Sequence, residues 1–91
     1  MSDAIEEFLE DFSSMNEDAL YPTDLKDAVI GMVERFGMRP QILLDRDKCL
    51  SIFMERDGMD CEEAEEYFEF NTIGAWVGEG TPCFATLIKK D

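Results

Sequence analysis

Acidic residues are concentrated in two short segments of this chain, and this limits which surfaces the fold can bury. Residues 1–20 contain seven acidic residues and no basic one, and residues 57–71 repeat that composition. Residues 21–56 contain six residues of each sign and residues 72–91 contain two of each, so the net charge of −14 comes from the two acidic segments. Charged side chains are rarely buried without a partner. Each acidic segment must therefore expose at least one face.

Length and composition predict a single globular domain in the cytoplasm. The chain has 91 residues and is 45% hydrophobic, which is enough apolar material for a modest core despite the charge. No run approaches the roughly 18 apolar residues of a membrane span, and the first residues do not resemble a secretory signal. The three cysteines are odd in number and lack CxxC spacing, which predicts buried, reduced thiols.

The absence of histidine narrows the chemistry that this chain can perform. Ser–His and Cys–His nucleophile pairs and ordinary zinc sites are excluded. Clustered carboxylates suit calcium or magnesium, but the runs that start at Asp45 and Asp57 do not match the EF-hand spacing. We therefore predict a protein that is not an enzyme and has no cofactor. A carboxylate-based calcium- or magnesium-binding protein remains an alternative.

Apolar residues at helical spacing predict two helices in the first third of the chain. Within residues 1–20, Ile5, Phe8, Leu9 and Phe12 share one face, which predicts an acidic N-terminal helix. A second apolar stripe predicts a helix from an N-cap at Thr23 to a stop at Gly37. The members of this stripe are Leu25, Ala28, Val29, Met32, Val33 and Phe36.

Capping signals predict two further helices joined as a tight hairpin. Asp45 or Asp47 can cap a helix that ends at Gly58. Asp60 and Glu63 have the spacing of a capping box for the helix that follows. The residues that this last helix is expected to bury are Ala64, Tyr67 and Phe68.

Two short segments have the composition of strands. Residues 41–44 follow Pro40 and form either a buried strand or an extended connector, whereas residues 83–88 have strand character. If both are strands, we expect them to pair and pack on the helices. Residues 71–77 either prolong the last helix or start a hairpin, and the lack of period-two alternation favours the helix. The prediction is an α+β fold, mostly helical, with about four helices and a small two-stranded sheet. It comprises an acidic helix in residues 1–20 and a compact helical core with short strands in residues 21–91.

The acidic segments are the main candidates for function. Like charges at helical spacing repel each other by a few tenths of a kcal/mol per pair, so the arrangement is a mild cost to folding. One interpretation is a solvated face that keeps the protein soluble. The other is a docking face for a basic protein surface, such as the nucleic-acid groove of a host protein whose phosphate partners the carboxylates imitate. The predicted contacts are Glu6, Glu10, Glu62, Glu65, Glu66 and Glu69.

Direct binding of nucleic acid is disfavoured. The chain has eight basic residues, and six of them are interleaved with acidic residues, so no basic stripe is formed. The expected partner is therefore a protein with a basic surface, and neither a nucleic acid nor a membrane. An alternative to this docking role is a small structural or regulatory protein whose carboxylates do not imitate nucleic-acid phosphates.

Three runs of residues resemble a small protein family of bacterial and bacteriophage genomes. The runs are GMVERFGMRP (31–40), DKCLSIFMERDGM (47–59) and EEAEEYFEFNTIGAWVGEGTP (62–82). The resemblance extends from Leu25 to Phe84 and leaves the first acidic segment outside. The family has no established activity, so the resemblance assigns no functional residue. A phage setting raises the expectation of a small inhibitor of a host enzyme.

Overall fold

A computed structural model of the protein describes residues 3–74 and 80–88. The α+β prediction is confirmed, but the sheet has three strands and not two. The strand order is β1-β2-β3, with β1 antiparallel and β3 parallel to the central strand. In chain order the elements are helix α1 (Asp3–Ser13), a 3₁₀ helix (Thr23–Ala28), β1 (Val29–Arg35), β2 (Met38–Asp45), α2 (Arg46–Asp57), α3 (Cys61–Tyr67), a π-helical segment (Phe68–Ile73) and β3 (Cys83–Ala85).

The predicted helix over residues 23–36 is wrong, because its second half is strand β1. Only Thr23–Ala28 is helical, and it winds as a 3₁₀ helix. Val29 and Val33 are β-branched, and Gly31 lowers the helix propensity of the run between them. Pairing with β2 then decides the outcome, since Met32 lies opposite Ile42 and Val33 opposite Gln41. The apolar stripe has helical spacing, but from Val29 onward its residues form a strand.

A two-residue turn joins β1 to β2, and it explains two residues that the helix prediction misplaced. Gly37 has a φ of +83°, which glycine adopts without strain, so it shapes a hairpin turn and does not cap a helix. Phe36, expected on a buried stripe, is fully exposed at the tip. Pro40 lies inside β2 where the register with β1 shifts between Val33 and Arg35, a position at which a proline is tolerated.

The capping predictions for α2 and α3 are confirmed. The Asp45 side chain accepts a hydrogen bond from the Asp47 backbone N–H at 3.1 Å, and α2 ends at Gly58 with a φ of +71°. The Asp60 side chain accepts from the Glu63 N–H at 2.8 Å, while Glu63 accepts from the Asp60 N–H at 3.0 Å. Three residues separate the two helices, which therefore form the tight hairpin expected from the sequence.

The chain continues as a helix beyond Tyr67, but with π-type winding. The Gly74 N–H donates to the Glu69 carbonyl at 3.2 Å, five residues earlier, which is the π-helical spacing. The helical alternative for residues 71–77 thus holds as far as Ile73, and residues 75–77 lie outside the described residues. Short π-helical insertions occur frequently at functional sites.

One apolar core joins all the elements that position the acidic segments. Helix α1 packs against β1 and contributes Phe12 to this core, as its apolar stripe predicted. The pairing expected between residues 41–44 and 83–88 is confirmed for Leu43 and Leu44, which lie opposite Cys83 and Phe84, but β3 ends at Ala85. The buried members of the core are Phe12, Leu25, Ala28, Val29, Ile42, Leu44, Cys49, Leu50, Phe53, Ala64 and Phe68.

Candidate protein-docking surface

Four of the seven acidic residues in the segment 57–71 have a structural role. Asp57 accepts hydrogen bonds from the guanidinium of Arg56 at 2.8 and 3.0 Å, and the pKa of Asp57 is lowered, first by these bonds. Asp60 and Glu63 form the capping box of α3. The fourth, Glu69, lies 3.6 Å from the guanidinium of Arg46.

The other three acidic residues of that segment have no such role. Glu62, Glu65 and Glu66 are exposed and form no ion pair with any residue in the described part of the chain. Glu65 and Glu66 lie three and four positions after Glu62, so both are its neighbours on the helix surface and repel it. We call Glu62, Glu65, Glu66 and Glu69 together the acidic face. Over α3 and the π-helical segment it extends for about 10 Å.

The acidic face lines a shallow surface groove of about 530 Å³. Among the described residues, Arg46 is the one basic side chain on its walls, and it is already paired with Glu69. Carboxylates that converge on a concave surface reinforce one another's potential, so this groove favours a cationic occupant. The residues that line it are Arg46, Asp60, Glu62, Glu63, Glu65, Glu66, Glu69 and Phe70.

The opposite side of the same helical segment is anchored in the core. Ala64, Phe68 and Thr72 are buried and follow one another at four-residue intervals. The ring of Phe68 meets that of Phe84 in β3 edge to face, with centroids 5.1 Å apart. The guanidinium of Arg46 lies over the Phe68 ring, with its carbon atom 5.2 Å from the ring centre. This packing holds the acidic face in one orientation.

The acidic residues of the first segment are distributed differently. Glu6 accepts a hydrogen bond from the Lys26 ammonium at 2.7 Å, which lowers the pKa of Glu6 and raises that of Lys26. Asp18 pairs with Arg39 at 3.2 Å. Glu10 is exposed on α1. Unlike the acidic groove, the depression next to α1, of about 230 Å³, is lined by Ala4, Ile5, Phe8, Val29, Ile30 and Gly31.

The structure thus brings together four of the six predicted contact residues and separates the other two. Glu6 and Glu10 lie on α1, which packs against β1 at one edge of the sheet. The acidic face belongs to a segment whose Phe68 packs on β3 at the other edge. Among the described residues, those that line the acidic groove come from Arg46 and the segment 60–70, and none comes from α1.

Most basic residues of the neutral segment 21–56 form ion pairs with carboxylates of the two acidic segments. Lys26, Arg39 and Arg46 pair with carboxylates of residues 1–20 or 57–71, and Arg56 pairs with both Asp57 and Asp24. Charge balance within residues 21–56 therefore does not mean that these charges neutralise one another. The pairs link distant parts of the chain, and sequence spacing gives no signal for them.

Sequence reasoning missed an aromatic residue at the acidic face. Phe70 is 76% exposed and lies on the wall of the acidic groove. Phe70 is two positions after buried Phe68, and two residues turn a helix by about 200°. A helical projection of the sequence therefore predicts that Phe70 points away from the core. Tyr67, expected to be buried, is 39% exposed; its ring packs edge to face on Phe53 at 4.9 Å.

Other features of the described residues bear on the remaining predictions. The three cysteines are free thiols, but only Cys49 is buried; burial raises the pKa of Cys49 to about 12, whereas Cys61 is exposed. Within residues 3–74 and 80–88, no cluster of three or more Cys, Asp or Glu side chains is arranged to hold a metal ion. Nor does any helix in these ranges combine the length and apolar character needed to cross a bilayer.

A second depression, of about 430 Å³, lies beside β2. Asn16 fixes one wall, since its side-chain amide donates to the Pro40 carbonyl at 2.8 Å and its oxygen accepts from the Asp18 N–H at 3.1 Å. The ion pair between Asp18 and Arg39 lies on the same wall, so the charges there offset each other. The concentration of one charge sign distinguishes the acidic groove from this depression.

No family model, curated protein or solved structure matches the chain. The resemblance of residues 25–84 to a family of bacterial and bacteriophage genomes therefore stays an expectation.

Proposed function

We propose that the protein is a non-enzymatic binding module that docks through its acidic face on a basic surface of a partner protein. The observation that carries this proposal is the convergence of Glu62, Glu65, Glu66 and Glu69 on one groove. Three of these carboxylates have no ion pair within the described residues, so their mutual repulsion is relieved by a cationic partner.

The groove supports a binding role better than a solubilising one. Charges that only keep a protein soluble have no reason to be gathered on a concave surface. Here the segment that carries them is capped at its start by Asp60 and fixed underneath by Phe68. A fixed array of charges loses little conformational entropy on binding, which favours both affinity and selectivity.

The kind of basic surface is proposed from charge alone. A nucleic-acid-binding protein fits, because its groove gains affinity from any anion that neutralises it. The sequence pattern also predicts Glu6 and Glu10 as contacts with the partner. These two residues lie at the other edge of the sheet, so the proposal rests on the acidic face.

Residue-resolved NMR with a lysine-rich helical peptide tests the proposal. We expect backbone shifts to change first in residues 62–70, and to recover as salt rises from about 50 to about 300 mM, because exposed charges are screened over that range. Equal changes in α1 and α3 would mean that the peptide responds to the net charge of −14 alone, and would overturn the proposal.

A further inference from the structure

A small apolar depression adjoins the acidic groove on the solvent side of α3. It has a volume of about 260 Å³ and is lined by Met59, Glu63, Glu66, Tyr67, Phe70 and Asn71. We call Met59, Tyr67 and Phe70 the apolar seat. Phe70, Glu63 and Glu66 line both this depression and the acidic groove, so the two surfaces are continuous.

The apolar seat is held in place by the core. Met59 packs against the core cluster, and Tyr67 is fixed by its edge-to-face contact with Phe53. Phe70 leaves most of its surface in water. An exposed ring beside supported apolar side chains is the arrangement found where a partner inserts an anchor residue.

We propose that the apolar seat accepts one apolar side chain of the partner, presented on a segment whose flanking residues are cationic. The occupant is thus a basic amphipathic segment of a protein. Charge complementarity identifies it, because Glu66 on the rim has no ion pair within the described residues and the acidic groove continues beyond it. This inference rests on the proposed function and adds the feature that selects one basic partner over another.

The charge-dependent and apolar parts of binding respond differently to salt. Ion pairs at the acidic face weaken as salt rises, since exposed charges are screened. Transfer of an apolar side chain out of water does not depend on charge. A leucine in the seat is therefore expected to increase affinity about tenfold over a serine, at low and at high salt.

Two helical peptides of equal charge test the inference, one with leucine and one with serine at the position that faces the seat. Calorimetric titration of the full chain should show the leucine peptide binding about tenfold more tightly. In Phe70→Ser this preference should fall to about twofold or less, and Phe70→Leu should restore it. Phe36→Ser is the matched control, because Phe36 is fully exposed at the β1–β2 turn, and it should keep the full preference.

The outcomes separate the inference from the proposed function. Equal affinity for the two peptides, or a preference that survives in Phe70→Ser as it does in Phe36→Ser, overturns the apolar seat and leaves the acidic face standing. If neither peptide binds at low salt, the acidic face itself is refuted.

Discussion

Helix α1 and the α3–π segment are both acidic and both amphipathic, yet they use their charges differently. Glu6 on α1 is bound to Lys26 of the 3₁₀ helix, and the depression beside α1 is apolar. On α3, Glu62, Glu65 and Glu66 line a groove without ion pairs among the described residues.

The comparison shows that charge density in a sequence does not define a binding surface. The cations that neutralise some of the carboxylates come from residues 21–56, and the fold decides which carboxylates they reach. Lys26 pairs with Glu6 on α1, whereas Arg46 pairs with Glu69 at the end of the acidic face. On α3 they leave Glu62, Glu65 and Glu66 without an ion pair among the described residues, and the fold gathers these three carboxylates on one groove.

The largest expected effect is on the free energy of unfolding, when an aromatic ring is removed from the buried side of the α3–π segment instead of its exposed side. Phe68→Ala should lower the free energy of unfolding by about 3–5 kcal/mol, because it removes a fully buried ring. Phe70→Ala should change it by less than about 0.5 kcal/mol, because that ring is mostly in water. Urea denaturation of both variants measures the difference. Comparable losses would show that Phe70 belongs to the core and is not available to a partner.

A smaller effect is expected at the start of α3. Asp60→Ala should lower the free energy of unfolding by about 1 kcal/mol, because the Glu63 N–H loses its capping acceptor. Glu65→Ala, one turn further on, should have almost no effect, since Glu65 caps nothing. Thermal unfolding followed by circular dichroism compares the two. A large loss in Glu65→Ala would assign that carboxylate a structural role and remove it from the acidic face.

The smallest expected effect is a change in melting temperature when one glutamate of each acidic helix is replaced by glutamine. The two helices should differ in the sign of this change. Glu6→Gln should lower the melting temperature, since it breaks the ion pair with Lys26. Glu66→Gln should raise it slightly, because it removes repulsion from Glu62 and Glu63 worth a few tenths of a kcal/mol.

The ion pair between Glu6 and Lys26 has a defined pH window. The pKa of Glu6 lies below its usual value of 4.5, so the stability it adds is present above pH 4.5 and is lost as pH falls through the lowered pKa. The pKa of Lys26 lies above 10.5, so its contribution is complete below that pH and is lost as pH rises through the raised pKa. The difference in melting temperature between Glu6→Gln and the native chain should therefore vanish in acid. A difference that persists below the lowered pKa contradicts the ion-pair account.

Local signals in the sequence predicted the elements around the candidate site. The caps at Asp45, Gly58 and the Asp60–Glu63 box involve residues close together in the chain, so their spacing specifies the structure directly. Strand β1 was missed because Val29 and Val33 fit a helical stripe as well as a strand, and its partner β2 decides between them.

The site itself was predicted only in part. The helical spacing of Glu62, Glu65, Glu66 and Glu69 identified the acidic face, and the groove that unites them was not predictable from the spacing. The pairing of Glu6 with Lys26 depends on how α1 lies against the rest of the chain, which no local pattern encodes. Phe70 is exposed because Phe68, two positions earlier, is the aromatic residue that faces the core. The contact of Phe68 with Phe84 in β3 fixes that orientation.

Two variants that change the net charge equally test the central claim most directly. Glu62→Gln/Glu65→Gln/Glu66→Gln removes three charges from the acidic face. Glu7→Gln/Asp11→Asn/Glu17→Gln removes three exposed charges from residues 1–20. We predict that the first variant binds the lysine-rich peptide about tenfold more weakly than the native chain, and that the second loses about twofold or less. Equal losses in the two variants would show that only net charge matters, and would contradict a docking surface on α3.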